Sequence, residues 1–228
     1  MGALLQVRDV TVDFNGFKAL KNLSLEIDRG ELRFLIGPNG AGKTTLIDVI
    51  SGKVRPVSGS VLFNEKYELT RMREHRIVRA GIGRKFQTPA LFPQLSVRSH
   101  LEIAWGFRSR FLGHLRRKRA LASERVDALL ERLRLLDRAG MPAGLLSHGE
   151  KQWLEIGMVL IQDPALILLD EPVAGMTSSE RRATGELLRE IARDRSVLIV
   201  EHDMNFVRSF STKVSVLHQG ELITEGTM

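Results

Sequence analysis

The stretch Gly37-Pro38-Asn39-Gly40-Ala41-Gly42-Lys43-Thr44-Thr45 has the spacing G-x-x-x-x-G-K-[ST], which suits a loop that wraps nucleotide phosphates. Its glycines let the backbone turn tightly and bring N–H groups close to oxygen anions. Lys43 supplies a compact positive charge for the β- and γ-phosphates. The hydroxyl of Thr44 can ligate Mg²⁺. Thr44 to Ser51 reads as a helix whose N-terminus directs its dipole at the same phosphates. Residues Gly37 to Thr45 are therefore the first candidate binding set. The loop alone leaves the use of the nucleotide open, because unrelated kinases, GTPases and ATPases share it.

Four further groups of residues have the chemistry that such a loop needs around it. Leu168-Leu169-Asp170-Glu171 places two carboxylates at the end of an apolar run. Asp170 is the candidate for the Mg²⁺ shell. Glu171 is the candidate general base for an attacking water. Gln87, in Arg84-Lys85-Phe86-Gln87, carries a neutral amide that can touch Mg²⁺ or the water and release it cheaply. His202, at the end of another apolar run, can hydrogen-bond a γ-phosphate. Leu146-Ser147-His148-Gly149-Glu150 opens a helix. Ser147 and Glu150 have the spacing of a capping box, which would suffice for any helix. The same segment, through Ser147, the Gly149 N–H and the helix dipole, can also hold a second anion. Two phosphate sites suit one nucleotide only if it is sandwiched between two copies of the chain.

The elements needed to position these residues follow from periodicity. Glu31 to Ile36 reads as a buried strand feeding the glycine loop. Ala165 to Leu169 and Val197 to Val200 are short continuous apolar runs of the kind found in buried parallel strands. Val10, Val12 and Phe14 alternate with polar residues, as do Leu20 to Ile27 beyond the turn at Asn15-Gly16. Val61 to Phe63 is a further strand. Lys213 to His218 and Glu221 to Glu225 flank Gln219-Gly220 as a hairpin. Leu69 to Ala80 is helical and basic. Val97 to Leu136 is helical with a break at Gly113-His114, and Glu150 to Ile161 and Ser178 to Arg193 are helices. The class is α/β, with strands at the two ends of the chain and helices in the middle.

The chain has 228 residues, 43% hydrophobic, and no cysteine, which excludes disulfides and thiolate metal sites. No apolar run approaches the roughly 20 residues that span a bilayer, and the N-terminus does not read as a secretory signal. The net charge of +7 concentrates in Arg71, Arg73, Arg76 and Arg79, and in Arg108, Arg110, Arg116, Arg117, Lys118 and Arg119. Such runs are either solvated helix faces or surfaces for lipid headgroups or an acidic partner. Nucleic acid is not expected, since no aromatic-rich RNA motif or reading helix accompanies the charge.

Taken in order, these motifs resemble the ATP-binding subunit of an ABC transporter over nearly the whole chain. The resemblance implies a P-loop NTPase core of ABC type, with an N-terminal antiparallel β-subdomain and a helical insertion. It implies one nucleotide-binding domain, with the core at about 1–87 and 161–228 and the helical subdomain at about 88–160. Gly37 to Thr45 matches Walker A, Gln87 the Q-loop, Leu146 to Glu150 the signature, Asp170 Walker B, Glu171 the catalytic glutamate and His202 the switch histidine. Phe14 matches the aromatic that stacks on adenine. Substrate and cofactor are then ATP and Mg²⁺, with Thr44, Gln87 and Asp170 around the metal. Ser147, Gly149 and Glu150 face the ATP of a second subunit, either another copy or a paralogue.

The implied partners are separate transmembrane permease subunits and, indirectly, a solute-binding protein. The implied location is peripheral, on the cytoplasmic face of the inner membrane. Arg84 to Gln87, Leu146 to Gly157 and Glu171 to Thr177 are most similar to urea-importer subunits within the branched-chain amino acid group. That resemblance implies import of urea or short-chain amides, with branched-chain amino acids as the alternative. Three departures stand out. His148 replaces a signature glycine, Glu150 replaces a glutamine, and Thr177 stands where most relatives have the D-loop aspartate. The chain also ends at Met228, where relatives usually continue into a further helix. A soluble ABC ATPase acting on DNA or ribosomes would need a longer insertion or a second cassette. A P-loop kinase would leave the signature and His202 unused.

Overall fold

The computed structural model describes residues 2–85, 91–106 and 115–227, with the backbone alone described over 115–122. Gln87, Gly113 and His114, Arg108 and Arg110, and the side chains of Arg116 to Arg119 lie outside what is described. The chain divides into two compact units. The first comprises residues 1–84, 165–172 and 188–228, and the second residues 85–164 and 173–187.

The first unit holds two sheets. Strands β1 (Ala3–Phe14), β2 (Phe17–Asp28), β4 (Ser58–Phe63) and β5 (Tyr67–Glu68) form an antiparallel sheet in the order β2-β1-β4-β5. The β1–β2 turn is Asn15-Gly16, with φ of 53° and 92°. Both values are positive, as a two-residue turn matching strand twist requires. The second sheet has six strands in the order β10-β9-β3-β8-β7-β6. These are β3 (Leu32–Ile36), β6 (Ile82–Lys85), β7 (Leu166–Asp170), β8 (Ser196–Val200), β9 (Lys213–His218) and β10 (Glu221–Gly226). β9, β3, β8 and β7 run parallel, and β10 returns antiparallel from the Gln219-Gly220 turn. Every residue of β7 and β8 is buried, which explains their continuous apolar composition.

Helix α1 (Lys43–Ser51) starts on left-handed Gly42 and stops on left-handed Gly52. The basic segment after β5 is not one helix. Leu69–Arg71 is a single 3-10 turn, Arg73 is extended, and α2 runs only Glu74–Ala80. Ile77 is its buried anchor, while Arg71, Arg73, Arg76 and Arg79 are all exposed. A short helix, α7 (Met204–Phe210), follows β8 and is capped by the Asp203 side chain.

The second unit is helical, with α3 (Val97–Gly106), α4 (Leu115–Arg132), α5 (His148–Leu160) and the first part of α6 (Ser178–Ile191). α4 stops short of the expected Leu136. Arg134 turns left-handed at φ 58°, and the Leu135 N–H closes onto the Leu130 carbonyl at 2.8 Å. This is a Schellman-type end made without glycine, so composition gives no warning of it.

Of the charged residues buried in the first unit, Arg33, the second residue of β3, is fully enclosed. Its guanidinium donates to Ser215 Oγ at 2.6 Å and the Glu26 carbonyl at 2.8 Å, and it pairs with the Glu31 and Glu225 carboxylates. It thus ties β3 to β2, β9 and β10. Removing one member of a buried pair leaves the remaining groups desolvated and uncompensated. Arg33→Ala should therefore lower unfolding stability by about 3–5 kcal/mol in urea titration. A loss under about 1 kcal/mol, the scale of exposed pairs, would show that solvent reaches the cluster.

Candidate nucleotide site

The parallel strands bring the first unit's chemistry to one edge. Leu35 of β3 is level with Val200 of β8, and Val200 is level with Asp170 of β7. The glycine loop, Glu171 and His202 each follow within a residue or two of those positions. In open α/β sheets this carboxyl edge is where ligands bind.

The loop is pressed against its surroundings at two glycines. A Cβ on Gly37, at φ 149°, would lie 2.1 Å from the Leu217 carbonyl oxygen. One on Gly42, at φ 99°, would lie 2.7 Å from both the Ala19 oxygen and Leu20 Cδ2. Hydrogen bonds from Gly220 N to the Ala41 carbonyl at 3.0 Å and from Lys21 N to the Gly220 carbonyl at 2.9 Å lock loop, hairpin and β2 together. Phe14, half exposed, sits at the tip of the β1–β2 hairpin beside this contact, and Val12 pairs with Leu20.

Lys43 is buried, and its ammonium donates to the Gly37 and Pro38 carbonyls at 2.7 and 2.9 Å. Burial pushes its pKa down, while Glu171 and Asp170 pull it up. A cation held in this way is inclined toward an anion that completes its solvation. Thr44 Oγ1 donates to Asp170 Oδ2 at 3.3 Å. Burial pushes the Asp170 carboxyl up, most of all the causes, with Glu171 and Asp48 adding to the rise and Thr44 and Arg84 opposing it.

The other oxygen, Asp170 Oδ1, is buried with no hydrogen-bond partner among the described residues. A hydroxyl and a buried carboxylate with a free lone pair fit Mg²⁺, which takes one or two protein oxygens and fills its shell with phosphate and water. No cluster of three or more metal-ligating acids or imidazoles occurs among the described residues. The position of Gln87, the third candidate, lies outside them.

Glu171 is left-handed at φ 49°, with its N–H on the Val200 carbonyl at 2.9 Å. For a non-glycine residue this costs on the order of 1–3 kcal/mol, and such strain collects at functional positions. His202 Nδ1 lies 3.3 Å from Glu171 Oε1. Both side chains are partly exposed, so the pair faces solvent.

A residue unmarked by the motif reading holds this histidine. Glu201 is buried, and its Oε2 accepts the backbone N–H groups of His202 at 2.9 Å and Asp203 at 3.2 Å. The signal was a charged residue ending a run of β-branched and leucine residues, a place where burial demands a polar partner.

The second unit carries the Ser147 segment. Ser147 caps α5 in a complete capping box, with Glu150 N donating to Ser147 Oγ at 3.2 Å and Ser147 N to Glu150 Oε2 at 2.8 Å. The Glu150 side chain is thereby turned back onto the cap, with Arg138 Nε 3.7 Å away. His148 Nε2 is 3.0 Å from the Ala174 carbonyl.

Thr177 begins α6 with a reciprocal arrangement of its own. Its N–H and Oγ1 donate to Glu180 Oε2 at 2.9 and 2.8 Å. Within the same unit Lys85, two residues before Gln87, forms a buried ion pair with Glu155 of α5 at 3.3 Å. Sequence reading missed both carboxylates. Glu180 looked like an ordinary first-turn acid, and Glu155 reveals its partner only once the chain has folded.

Comparison with known proteins agrees with this arrangement. A profile of the family described as "ABC transporter" matches residues 20–174. The high-affinity branched-chain amino acid transport ATP-binding protein LivG of Salmonella typhimurium is 34% identical over 98% of this chain and 91% of its own length. BraF of Pseudomonas aeruginosa, with the same description, is 33% identical over 98% of this chain and 91% of its own. The ADP conformation of MJ1267, an ATP-binding cassette of an ABC transporter, matches with a TM-score of 0.88 at 28% identity, over 100% of this chain and 92% of that one. The dimeric post-hydrolysis MJ0796 cassette bound to ADP and Pi matches at 0.83 and 25% identity, over 98% of each chain. LivG and BraF are named for branched-chain amino acids and give no support to the expectation of urea.

The Asp170 carboxyl titrates above its ordinary value, so the folded protein holds the proton more tightly than the unfolded chain does. Stability then falls as pH rises through that titration, and the penalty is fully present at neutral pH. Asp170→Asn should raise the Tm of the nucleotide-free protein at pH 7, by an amount that shrinks toward pH 4. Calorimetric scans of both proteins across this range check it. A lower Tm for the variant at pH 7 would contradict burial as the dominant influence.

Proposed function

This chain belongs to the ABC transporter family as an ATP-hydrolysing importer subunit, and on that premise we propose that the importer takes up branched-chain amino acids. The observation that carries the choice of solute is the near full-length match to LivG and BraF. The similarity of Glu171 to Thr177 to urea-importer subunits keeps short-chain amides as the second reading.

In the proposed mechanism, the N–H groups from Gly37 to Thr45 and the Lys43 ammonium bind the β- and γ-phosphates. Phe14 stacks on adenine. Thr44 and Asp170, with Gln87, would hold Mg²⁺, which would neutralise charge developing on the phosphate oxygens. Glu171, whose carboxylate lies beside His202, takes a proton from the attacking water. His202, held by Glu201, meets the γ-phosphate and orients the water. Ser147 and Gly149 of one copy, with Glu150 shaping the cap, close on the ATP of a second subunit. Loss of the γ-phosphate removes the shared anion, and the pair opens.

No described helix is long and apolar enough to cross a membrane. The permease would be formed by separate chains, and this subunit would sit peripherally on the cytoplasmic face. The proposed organisation is a single nucleotide-binding domain whose helical insertion contacts the permease.

Glu171→Gln keeps size and polarity but removes the base. ATP should still bind, turnover should fall about 10²–10⁴-fold, and an ATP-bound dimer should accumulate. Wild-type turnover would place the base elsewhere. Purifying the complete importer and measuring solute-stimulated ATPase with leucine, isoleucine, valine, urea and acetamide tests the solute. Stimulation by the amides alone would reverse the assignment.

A further inference from the structure

The donors assigned above to the γ-phosphate of a second subunit are already engaged in this chain. Ser147 Oγ donates to Glu180 Oε1 at 3.3 Å. The same carboxylate lies against Gly149: a Cβ built there would fall 2.5 Å from Glu180 Oε1.

Proton counting makes this exclusive. A serine hydroxyl has one hydrogen to give. Ser147 Oγ meanwhile spends acceptor capacity on the Glu150 N–H at 3.2 Å, which does not occupy its hydrogen. A phosphate oxygen therefore receives the Ser147 hydrogen, and comes close to Gly149, only after Glu180 has moved aside.

We propose that Glu180 is a positioning residue of the ATPase cycle: its carboxylate occupies the signature donors as a stand-in for the γ-phosphate and is displaced when the opposite subunit's ATP arrives. The proposal rests on the sandwich reading of Ser147 and Gly149. The chemistry of the exchange is even-handed. Both occupants are anionic oxygens at a helix N-terminus, where charge-assisted hydrogen bonds and the helix dipole favour negative charge. While the site awaits ATP, the resident carboxylate accepts the Ser147 hydroxyl and covers Gly149.

The two oxygens of Glu180 divide the work. Oε2 is held by the Thr177 N–H and hydroxyl at 2.9 and 2.8 Å, and Oε1 is on Ser147. Thr177 thereby acquires a function at the position where most relatives carry aspartate. An aspartate there would set a second carboxylate against Glu180, whereas a threonine hydroxyl donates to it. The Thr177 bonds, foremost among the influences on Glu180, hold its carboxyl below the usual glutamate range, so it is an anion at neutral pH.

An occupant that must leave lowers apparent affinity by the fraction of molecules with open donors. The test is ATP-driven dimerisation in the Glu171→Gln background, followed by sedimentation over an ATP series. Glu180→Gln keeps the side-chain length and removes the charge, and Glu180→Ala removes the occupant altogether. Each should lower the half-saturating ATP concentration by about 3- to 10-fold.

A purely structural Glu180, acting only as the α6 cap, gives the opposite sign. Loosening the cap would leave the midpoint unchanged or raise it, and either result overturns the proposal. If the alanine variant fails to fold, the glutamine variant alone decides. Two controls separate this failure from failure of the sandwich itself. A parent protein that never dimerises with ATP, or a Gly149→Asp variant that dimerises as well as the parent, would remove the sandwich and the proposal together.

Discussion

Three parallel strands ending level with one another are the constraint on which the rest of the first unit depends. β3, β8 and β7 are hydrogen-bonded in a register that sets Leu35, Val200 and Asp170 side by side. A glycine loop, a switch histidine and a pair of carboxylates are far apart in sequence, and nothing local relates them. They meet because each follows the last buried residue of its own strand. The burial that makes those strands apolar also fixes where they stop, since the first polar residue is where the chain must turn toward water. A one-step slip of β7 against β8 would move Asp170 away from Thr44 and turn each β7 side chain to the opposite face of the sheet.

That edge is electrostatically unfinished. Lys43 is depressed by burial and Asp170 is raised by it, although each lies near groups of opposite charge. Asp170 Oδ1 has no hydrogen-bond partner among the described residues, and Glu171 holds a backbone conformation that a glutamate adopts at some expense. A protein built for stability alone would not keep these together. A magnesium-bound nucleotide relieves several of the imbalances at once, supplying an anion for Lys43 and a cation for Asp170. The buried Glu201 carboxylate fixes the backbone on which His202 is carried.

Most of the framework was legible because it rests on local physics. The glycine loop, the apolar strands, the Asn15-Gly16 and Gln219-Gly220 turns and the Ser147 capping box are all short-range patterns. Three kinds of feature were not. The end of α4 at Arg134 uses a left-handed residue that is not glycine. The Arg33 cluster joins residues up to Glu225, so its members look like surface charges along the sequence. Glu180, Glu201 and Glu155 are likewise defined by partners that only folding supplies. The expectation of urea rested on three segments, Arg84 to Gln87, Leu146 to Gly157 and Glu171 to Thr177, whereas similarity across nearly the whole chain is to branched-chain amino acid importer subunits. In the proposed assembly no residue of this chain touches the solute, so nothing in its chemistry could have decided between them.

In the second unit the N-terminus of α5 meets an anion of its own chain. Glu180 accepts the Ser147 hydroxyl and lies against Gly149, through an arm rooted in Thr177 on the next helix. The substitutions at His148 and Thr177 then read as parts of one arrangement. His148 is bound to the Ala174 carbonyl beside Gly175, and Thr177 retains Glu180, so the segment 174–180 is fastened to the start of α5 at two points. Displacing Glu180 by phosphate undoes the second fastening while leaving the first. Arrival of the opposite nucleotide is thereby transmitted to α6 through a change of hydrogen-bond partner.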